Sequence, residues 1–280
     1  MRAPGHNSVR EFEELADYQA CLELQRLTWG DNFDELVPAT VIKLAQRLGG
    51  IAAGAFDASG RLLGFVFGMT GPADGSIVHW SDMMAVHPDF RNQGIGEALK
   101  RYQRDRMLGQ NVQRMHWTFD PLEARNAQVN FARLGAIARE YVRDLYGGST
   151  SPLHAGIGTD RLIVTWQLDS KRVADRLAKG GAPFDRQARS ATEQVIPVQL
   201  HGGVPMSGPP RLDLTSDAVR ISIPSDIQTL KRADPGLARQ WRQHTRAGFE
   251  HYLAQDYWVM EFEKGSECGS YVLGRRPLLA

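Results

Sequence analysis

An apolar strand, a glycine-bearing turn and an amphipathic helix follow one another near the middle of the chain, and no other feature constrains the fold as strongly. The strand pattern runs from Ile77 to Val86 and is closed by His87-Pro88. The turn comprises Arg91, Asn92, Gln93, Gly94, Ile95 and Gly96. Glycines allow tight turns and close backbone approach to a ligand, and the unpaired N–H groups of a helix N-terminus attract anions. The sequence therefore predicts a phosphate or pyrophosphate site at this turn.

Composition excludes several classes of protein. The 280 residues include 33 basic and 32 acidic side chains, so no overall field favours nucleic acid or an anionic membrane. Two cysteines, Cys21 and Cys268, are too few for a disulfide framework or a structural zinc site. The longest apolar run, Leu62 to Met69, is too short to span a bilayer, and Met1 to Arg10 lack the apolar core of a signal peptide. We therefore expect a cytoplasmic protein with neither nucleic-acid nor membrane partners.

Hydrophobic periodicity predicts a mixed α/β (α+β) fold. The predicted elements are, in chain order, helices at 13–28 and 38–48, a β-hairpin at 51–69, a strand at 78–86, a helix at 95–109, a strand at 112–119, a helix at 125–134 and strands at 137–143 and 162–168. This order indicates a central mixed sheet with helices on its faces. Residues 171–212 are rich in Gly, Pro and Ser and predict an irregular linker, and residues 213–280 predict an α/β extension.

The turn and its surroundings resemble the GNAT N-acetyltransferase superfamily over roughly residues 9–170, and the acyl-CoA-binding catalytic domain is predicted at residues 1–170. The family's Q/R-x-x-G-x-G/A turn matches Arg91 to Gly96, and Ala85-Val86-His87-Pro88 matches the strand ending. Asn126 and Leu134-Gly135-Ala136 resemble the family's second motif. Further strings, including Thr118 to Leu122, are similar to a poorly characterised bacterial subgroup with a C-terminal extension. The resemblance implies a GNAT catalytic domain whose central sheet contains two splayed parallel strands.

The resemblance implies acetyl-CoA or another acyl-CoA as cosubstrate. The turn residues listed above would hold the CoA pyrophosphate through backbone N–H groups, with Arg91 adding a charge-assisted contact. Backbone groups of Met84, Ala85 and Val86 would pair with the pantetheine arm and face the thioester carbonyl. Asn126 would border the thiol end. The sequence contains no metal-ligand motif, and we expect no metal cofactor.

Direct attack of an amine on the thioester needs a proton acceptor and a proton donor. Asp82 is the candidate base, because a carboxylate within an apolar strand is costly unless it is partnered or used. A structural hydrogen bond, for example to His79, is the alternative. Phe131 stands in the position where many GNAT enzymes have a tyrosine that donates a proton to the leaving thiolate. Tyr141 and Tyr146 are therefore candidate proton donors, and ordinary packing is the alternative for each.

The predicted function is transfer of an acetyl or other short acyl group, such as succinyl, to the amine of a small, amino-acid-like acceptor. Two alternatives remain open at this point, namely a catalytically silent acyl-CoA-binding module and a protein N-acetyltransferase. The sequence is compatible with a homodimer.

Basic side chains outside the turn have two interpretations each. Lys100, Arg101, Arg104 and Arg106 form either a solvated helix face or contacts to the CoA 3′-phosphate. Arg161, Arg242 and Arg246 either make structural contacts or approach the acceptor.

Overall fold

The computed structural model describes residues 8–31, 33, 35–73, 75–147, 156–179 and 192–275. The chain divides into two compact units, the first reaching Trp117 and the second beginning at Thr118. None of the helices in the described ranges is both long and apolar enough to cross a bilayer.

The first unit is a five-stranded sheet with three helices. Its elements are β1 (Ser8–Glu11), α1 (Leu15–Trp29), α2 (Ala39–Arg47), β2 (Ile51–Phe56), β3 (Leu62–Ala73), β4 (Ser76–Val86), α3 (Ile95–Gly109) and β5 (Arg114–Phe119), the last of which ends in the second unit. The strand order is β1-β2-β3-β4-β5. All neighbours are antiparallel except β4 and β5, which are parallel.

Apolar side chains of β3 and β4 form the core of the first unit together with α1 and α2. Phe65, Phe67 and Met83 join Tyr18 and other buried side chains of the two helices in one cluster. Burying such residues stabilises the fold by about 25 cal/mol for each Å² of apolar surface that is removed from water. This packing fixes one face of β4 against the helices.

A β-bulge interrupts β4 at Asp82. Met83 lies opposite Phe67, whereas Ser81 lies opposite the next residue of β3, Gly68, so Asp82 has no partner in the β3–β4 register. Residues opposite each other share a sheet face, and successive residues of β3 alternate between faces. His79 and Ser81, paired with Thr70 and Gly68, therefore face the side opposite to Met83 and Ala85. Because of the extra residue, the odd-numbered residues before the bulge and the even-numbered residues after it share one face of the sheet.

The second unit contains a six-stranded sheet, a separate hairpin and four helices in its described part. Its elements are α4 (Ala124–Ala127) with a π-helical turn (Gln128–Arg133), β6 (Ile137–Val142), β7 (Arg161–Gln167), α5 (Lys171–Lys179), β8 (Glu193–Gln194), β9 (Val198–His201), β10 (Val204–Ser207), β11 (Ala218–Pro224), α6 (Ile227–Ala233), α7 (Pro235–Ala254), β12 (Trp258–Glu263) and β13 (Cys268–Gly274). The sheet order is β7-β6-β12-β13-β11-β8, and β9 pairs with β10.

Aromatic side chains dominate the core of the second unit. Tyr271 of β13 contacts Phe131, Phe249 and Phe262 edge to face, with ring centroids 4.9–5.8 Å apart. Trp241 and Phe249 of α7 are fully buried. Helix α7 begins at Pro235 behind Asp234, whose side chain accepts from the Leu237 amide at 2.9 Å.

The mixed α/β fold predicted from the sequence is confirmed, including α/β structure in residues 213–280. Residues 171–212 are more regular than predicted, because they contain α5 and the β9–β10 hairpin, although 180–191 lie outside the described residues. Division into a catalytic domain (1–170), a linker (171–212) and an extension (213–280) stays a prediction.

Candidate active site

The predicted anion turn is exposed and opens helix α3. Gly94 is left-handed (φ +82°) and is the N-cap, and a Cβ built on it would meet nothing within 4 Å. The first helical hydrogen bond runs from the Ala98 amide to the Gly94 carbonyl at 3.0 Å. The N–H groups of Ile95, Gly96 and Glu97 precede that bond, as expected for the donors at a helix N-terminus. The turn therefore offers donors, open space and a favourable helix dipole to an anion.

Side chains of the turn support its shape. The Arg91 Nε donates to the Val86 carbonyl at 3.3 Å, and the Gln93 Nε2 donates to the Asp89 carbonyl at 3.4 Å. Asn92 takes a left-handed conformation (φ 63°), which asparagine tolerates better than most residues. Arg91 thus braces the end of β4 in this structure, and its predicted contact with CoA stays a prediction.

Strands β4 and β5 pair over a short register and then continue. Val78, His79 and Trp80 lie opposite Arg114, Met115 and His116, and β4 continues to Val86. Met84, Ala85 and Val86 pair on their other side with Val66, Phe65 and Gly64 of β3. Met84 and Val86 are half-buried, whereas Ala85 is buried. Splaying of the two parallel strands beyond Trp80 stays a prediction.

Asp82 is the bulged residue of β4, and its side chain reaches solvent. Surrounding protein partly desolvates the carboxylate and raises its pKa above the ordinary value of 3.8. Among the described residues, the carboxylate has no hydrogen-bond or ion-pair partner. His79, one partner considered for the structural interpretation, has both ring nitrogens bonded elsewhere. A solvent-accessible carboxylate with a raised pKa and no cation beside it is suited to proton transfer.

Lys100 differs from its sequence prediction. The interpretation of a solvated basic face is wrong for this side chain, which is 4% exposed. Arg101 and Arg106 do lie at the surface, where they pair with Glu97 at 2.8 Å and Glu11 at 2.6 Å. The helical spacing could have indicated this, because Lys100, Gln103 and Met107 fall at i, i+3 and i+7 on one face.

The two candidate tyrosines have different surroundings within the second unit. The Tyr141 hydroxyl donates to the Asp160 carboxylate, and burial together with nearby negative charge raises its pKa above 10. Its ring stacks on Phe249. Tyr146 is 38% exposed, and its hydroxyl lies 3.0 Å from the Thr118 Oγ1. The hydroxyl of Tyr146 is therefore the more accessible of the two.

Two further residues of the second motif lie in the second unit. Asn126 is exposed on the short helix α4. Phe131 is fully buried between Phe119 and Tyr271, with ring centroids 5.9 and 5.8 Å away. Phe131 therefore belongs to the core, and the position that holds tyrosine in many GNAT enzymes is here used for packing.

Arginines of the second unit are engaged with buried carboxylates. The Arg242 Nη2 donates to Asp120 at 2.6 Å, and its Nε donates to the Ile157 carbonyl at 3.0 Å. Arg246 donates to both oxygens of Asp160 at 2.8 and 2.7 Å. Burial alone would raise the pKa of Asp120, but the charge and hydrogen bond of Arg242 hold it below 3.8. These contacts favour the structural interpretation for Arg242 and Arg246.

Within the described ranges, no group of three or more His, Cys, Asp or Glu side chains could hold a metal ion. Burial raises the pKa of the Cys21 thiol to about 12, so this cysteine is poorly suited to nucleophilic chemistry.

Residues 51–141 match the family model described as an acetyltransferase (GNAT) domain. This range includes β4, the anion turn, α3 and Asn126. Among curated proteins, none matches the sequence significantly.

Several solved structures are similar to the chain at low identity. YncA from Salmonella typhimurium, solved with its cofactor acetyl-CoA, is 18% identical, and the match covers 65% of this chain and 99% of that one at a TM-score of 0.47. The ribosomal-protein-S18-alanine N-acetyltransferase from Escherichia coli is 16% identical, with 58% and 94% covered and a TM-score of 0.46. A phosphinothricin acetyltransferase from Sinorhizobium meliloti, in complex with acetyl-CoA, is 14% identical, with 57% and 86% covered and a TM-score of 0.46.

Proposed function

Because the chain contains a GNAT acetyltransferase domain, an enzyme domain that takes its acyl group from CoA, we propose that it transfers a short acyl group to the amine of a small acceptor. Acetyl and succinyl are the acyl groups we expect, and an amino-acid-like amine is the expected acceptor. The observation that carries the proposal is the pairing of an open anion turn with a carboxylate that has no partner among the described residues and lies on the strand that leads into the turn.

The anion turn supports binding of the CoA pyrophosphate. A pyrophosphate is satisfied by several N–H groups that converge from one side, and the N-terminus of α3 supplies them. Gly94 leaves open space where any other residue would place a Cβ, and Gly96 is half-buried within the first turn of the helix. The same strand would offer the backbone of Met84, Ala85 and Val86 to the pantetheine arm.

Asp82 supports the chemical step. The acceptor arrives as an ammonium ion, and Asp82 takes one of its protons to leave a neutral amine. The nitrogen then attacks the thioester carbon, the new C–N bond forms, the electron pair of the C–S bond leaves with sulfur, and the nitrogen loses its surplus proton to water to give the neutral amide. Burial raises the pKa of Asp82 toward neutrality, which makes the carboxylate a stronger base than an exposed aspartate.

The departing CoA thiolate needs a proton, and we assign this role to Tyr146 in preference to Tyr141. The Tyr141 hydroxyl donates to the Asp160 carboxylate and has a raised pKa, so it is a poor proton donor to the thiolate. Tyr146 has an accessible hydroxyl whose neighbour is the neutral Thr118 hydroxyl.

Replacement of Asp82 by Asn tests the proposal. We expect amine-dependent release of free thiol from acetyl-CoA or succinyl-CoA, measured over a panel of amino acids, peptides and small amines. In Asp82→Asn, kcat should fall by roughly 100-fold or more, as is typical when a general base is lost. Affinity for CoA in calorimetry should stay near that of the wild type. In the wild type, kcat should fall as the pH drops through the raised pKa of Asp82, because only the carboxylate accepts a proton.

Asp105→Asn is the matched control, since Asp105 is an exposed carboxylate on α3. It should leave kcat and the pH profile unchanged. An Asp82→Asn enzyme with the wild-type pH profile would remove Asp82 from the mechanism. Tight CoA binding without turnover over the whole panel would instead favour the silent acyl-CoA-binding module, and turnover with peptides alone would favour a protein acetyltransferase.

A further inference from the structure

Lys100 is a buried ammonium that contacts two strands at once. Its Nζ donates to the Ser81 Oγ of β4 at 2.7 Å and to the Gln103 Oε1 of its own helix at 3.2 Å. The same nitrogen lies 4.1 Å from the ring centroid of Trp117 in β5, within the range of a cation–π contact. One side chain of α3 therefore engages both members of the parallel pair.

The position of these contacts along the strands is specific. The described register of β4 with β5 reaches Trp80, which lies opposite His116. Ser81 and Trp117 are the next residues of the two strands, so Lys100 engages the first position beyond the described pairs. Ser81 also directly precedes the bulged residue Asp82.

A directed chain of hydrogen bonds holds Lys100 in place. Thr70 donates to the Gly49 carbonyl at 2.9 Å, so its hydroxyl accepts from the Nδ1–H of His79, also at 2.9 Å. The Nε2 of that tautomer accepts from the Gln103 amide at 2.8 Å, and this orients the Gln103 oxygen toward Lys100. Burial, followed by the charge of Lys100, lowers the pKa of His79 to about 3, so the ring stays neutral.

Within the described residues, Lys100 has no carboxylate partner. A buried ammonium held only by neutral acceptors and an aromatic ring is costly, and an apolar side chain of similar size would avoid that cost. Burial lowers the pKa of Lys100 to about 7, which expresses the same penalty. Such a cost is commonest where a side chain serves a functional site.

We propose that Lys100 is a positioning residue for acyl transfer. Its ammonium holds Ser81 and Trp117 where the described pairing of β4 and β5 stops, and it thereby fixes the bulge that carries Asp82. This inference rests on the proposed function for its catalytic consequence, and on the first unit alone for its structural consequence.

The test compares Lys100→Met, Ser81→Ala and the double variant. Misplacement of a reacting group by about 1 Å can reduce a rate by about 100-fold, so we expect kcat of Lys100→Met to fall between about 10- and 100-fold. The KM for acyl-CoA should stay within about threefold of wild type, because a group that acts only on the chemical step leaves ground-state binding intact. Because Lys100 acts through Ser81, the double variant should be no slower than the slower single variant.

Lys43→Met is the matched control, since Lys43 is an exposed lysine that also lies over an aromatic ring, that of Tyr18, at 5.9 Å. It should not change kcat. Hydrogen–deuterium exchange of the ligand-free protein supplies a readout independent of turnover, and amides from Ser81 to Val86 should exchange faster in Lys100→Met than in the wild type or in Lys43→Met.

Unchanged exchange in Lys100→Met would overturn the proposal whether or not the enzyme turns over. So would a wild-type kcat, or fully additive effects of the two substitutions. Absence of amine-dependent thiol release by the wild type would instead count against the proposed function, and the exchange experiment would still decide the role of Lys100.

Discussion

Asp82 and Lys100 are ionisable side chains of the first unit that have different surroundings, although Lys100 contacts Ser81, the residue next to Asp82. Asp82 reaches solvent at a bulge, whereas Lys100 is enclosed beneath the neighbouring residue Ser81. Desolvation raises the pKa of the Asp82 carboxyl and lowers the pKa of the Lys100 ammonium, so both pKa values shift toward neutrality. Each residue is thus easier to convert to its neutral form than an exposed counterpart.

The burial of Lys100 predicts a pH-dependent stability. The pKa of Lys100 is about 7 in the folded chain and 10.5 when unfolded, so between these values the unfolded chain binds more protons. Stability from this group should therefore rise as the pH increases from about 7 to 10.5. The difference in melting temperature between wild type and Lys100→Met, followed across this range, isolates the effect from all other groups. A difference that is constant with pH would show that Lys100 is not desolvated as described.

At the residue scale, the sequence marks a candidate site through local chemistry. The glycine turn and Asp82 stand out because their residue types conflict with an ordinary strand or helix. Residue type alone did not identify Lys100, because an exposed lysine on a helix has the same chemistry; only its helical spacing with Gln103 and Met107 indicates the buried face. Its burial depends on Ser81 and Trp117, which come from two other elements.

At the scale of elements, the N-terminus of α3 is the proposed site for the CoA pyrophosphate. Gly96→Ala fits the protein, since a Cβ there would meet only Met84 and Val86 at 3.8 Å. We expect this variant to keep the wild-type melting temperature and to lose affinity for CoA by about tenfold or more, because the methyl group would occupy space near the pyrophosphate. Calorimetric titration with CoA measures the loss.

Gly94→Val is a second variant that should disrupt CoA binding, and Gly109→Ala is the control. Gly94 has a left-handed φ of +82°, so valine should remove CoA binding while adding backbone strain of about 1–3 kcal/mol. Gly109 lies at the far end of the same helix with nothing within 4 Å of a Cβ, and its alanine variant should bind CoA normally. Normal CoA affinity in both Gly96→Ala and Gly94→Val would make the turn assignment wrong.

Elements with strong periodicity were predictable, and elements defined by pairing were not. The hairpin β2–β3 and helix α3 follow from apolar runs and helical apolar periodicity. Strand β1 and the β9–β10 hairpin were missed because they are short and gain their definition from a neighbouring strand. The π-helical turn after α4 was also missed, since its residues suit an α-helix equally well.

At the scale of the whole molecule, the second unit joins distant parts of the sequence through buried charges. Arg242 of α7 pairs with Asp120, 122 residues away, and both side chains are 3% exposed. Arg246 similarly pairs with Asp160. Residues after 213 therefore supply the cations that neutralise carboxylates lying before residue 170. The predicted domain boundaries at residues 170 and 213 would therefore separate the chain by function and not by stability. Ion pairs that stabilise the second unit connect residues on either side of these boundaries.

Arg242→Met should accordingly destabilise the second unit. The substitution leaves Asp120 as a buried charge without its main partner, and breaking such a pair costs about 3–5 kcal/mol. Arg239 is an exposed arginine on the same helix, and Arg239→Met should change stability by less than about 0.5 kcal/mol. Denaturant titration with hydrogen exchange resolved over residues 118–275 distinguishes the two. Equal stability of both variants would contradict the assignment of this pair to the core.

The bulge at Asp82 also governs what a change in chain length would do to this strand. With the extra residue present, His79 and Ser81 on one side of it and Met84 and Val86 on the other all face the same side of the sheet as their β3 partners require. Removal of Asp82 would make Ser81 and Met83 direct neighbours opposite Gly68 and Phe67, so every other residue of β4 would keep its partner and its face of the sheet. An alignment would score that event as a single gap, and in the folded chain the core side chains on both halves of the strand would stay in place. A deletion here should therefore preserve the packing of the strand while removing the bulge and its carboxylate together.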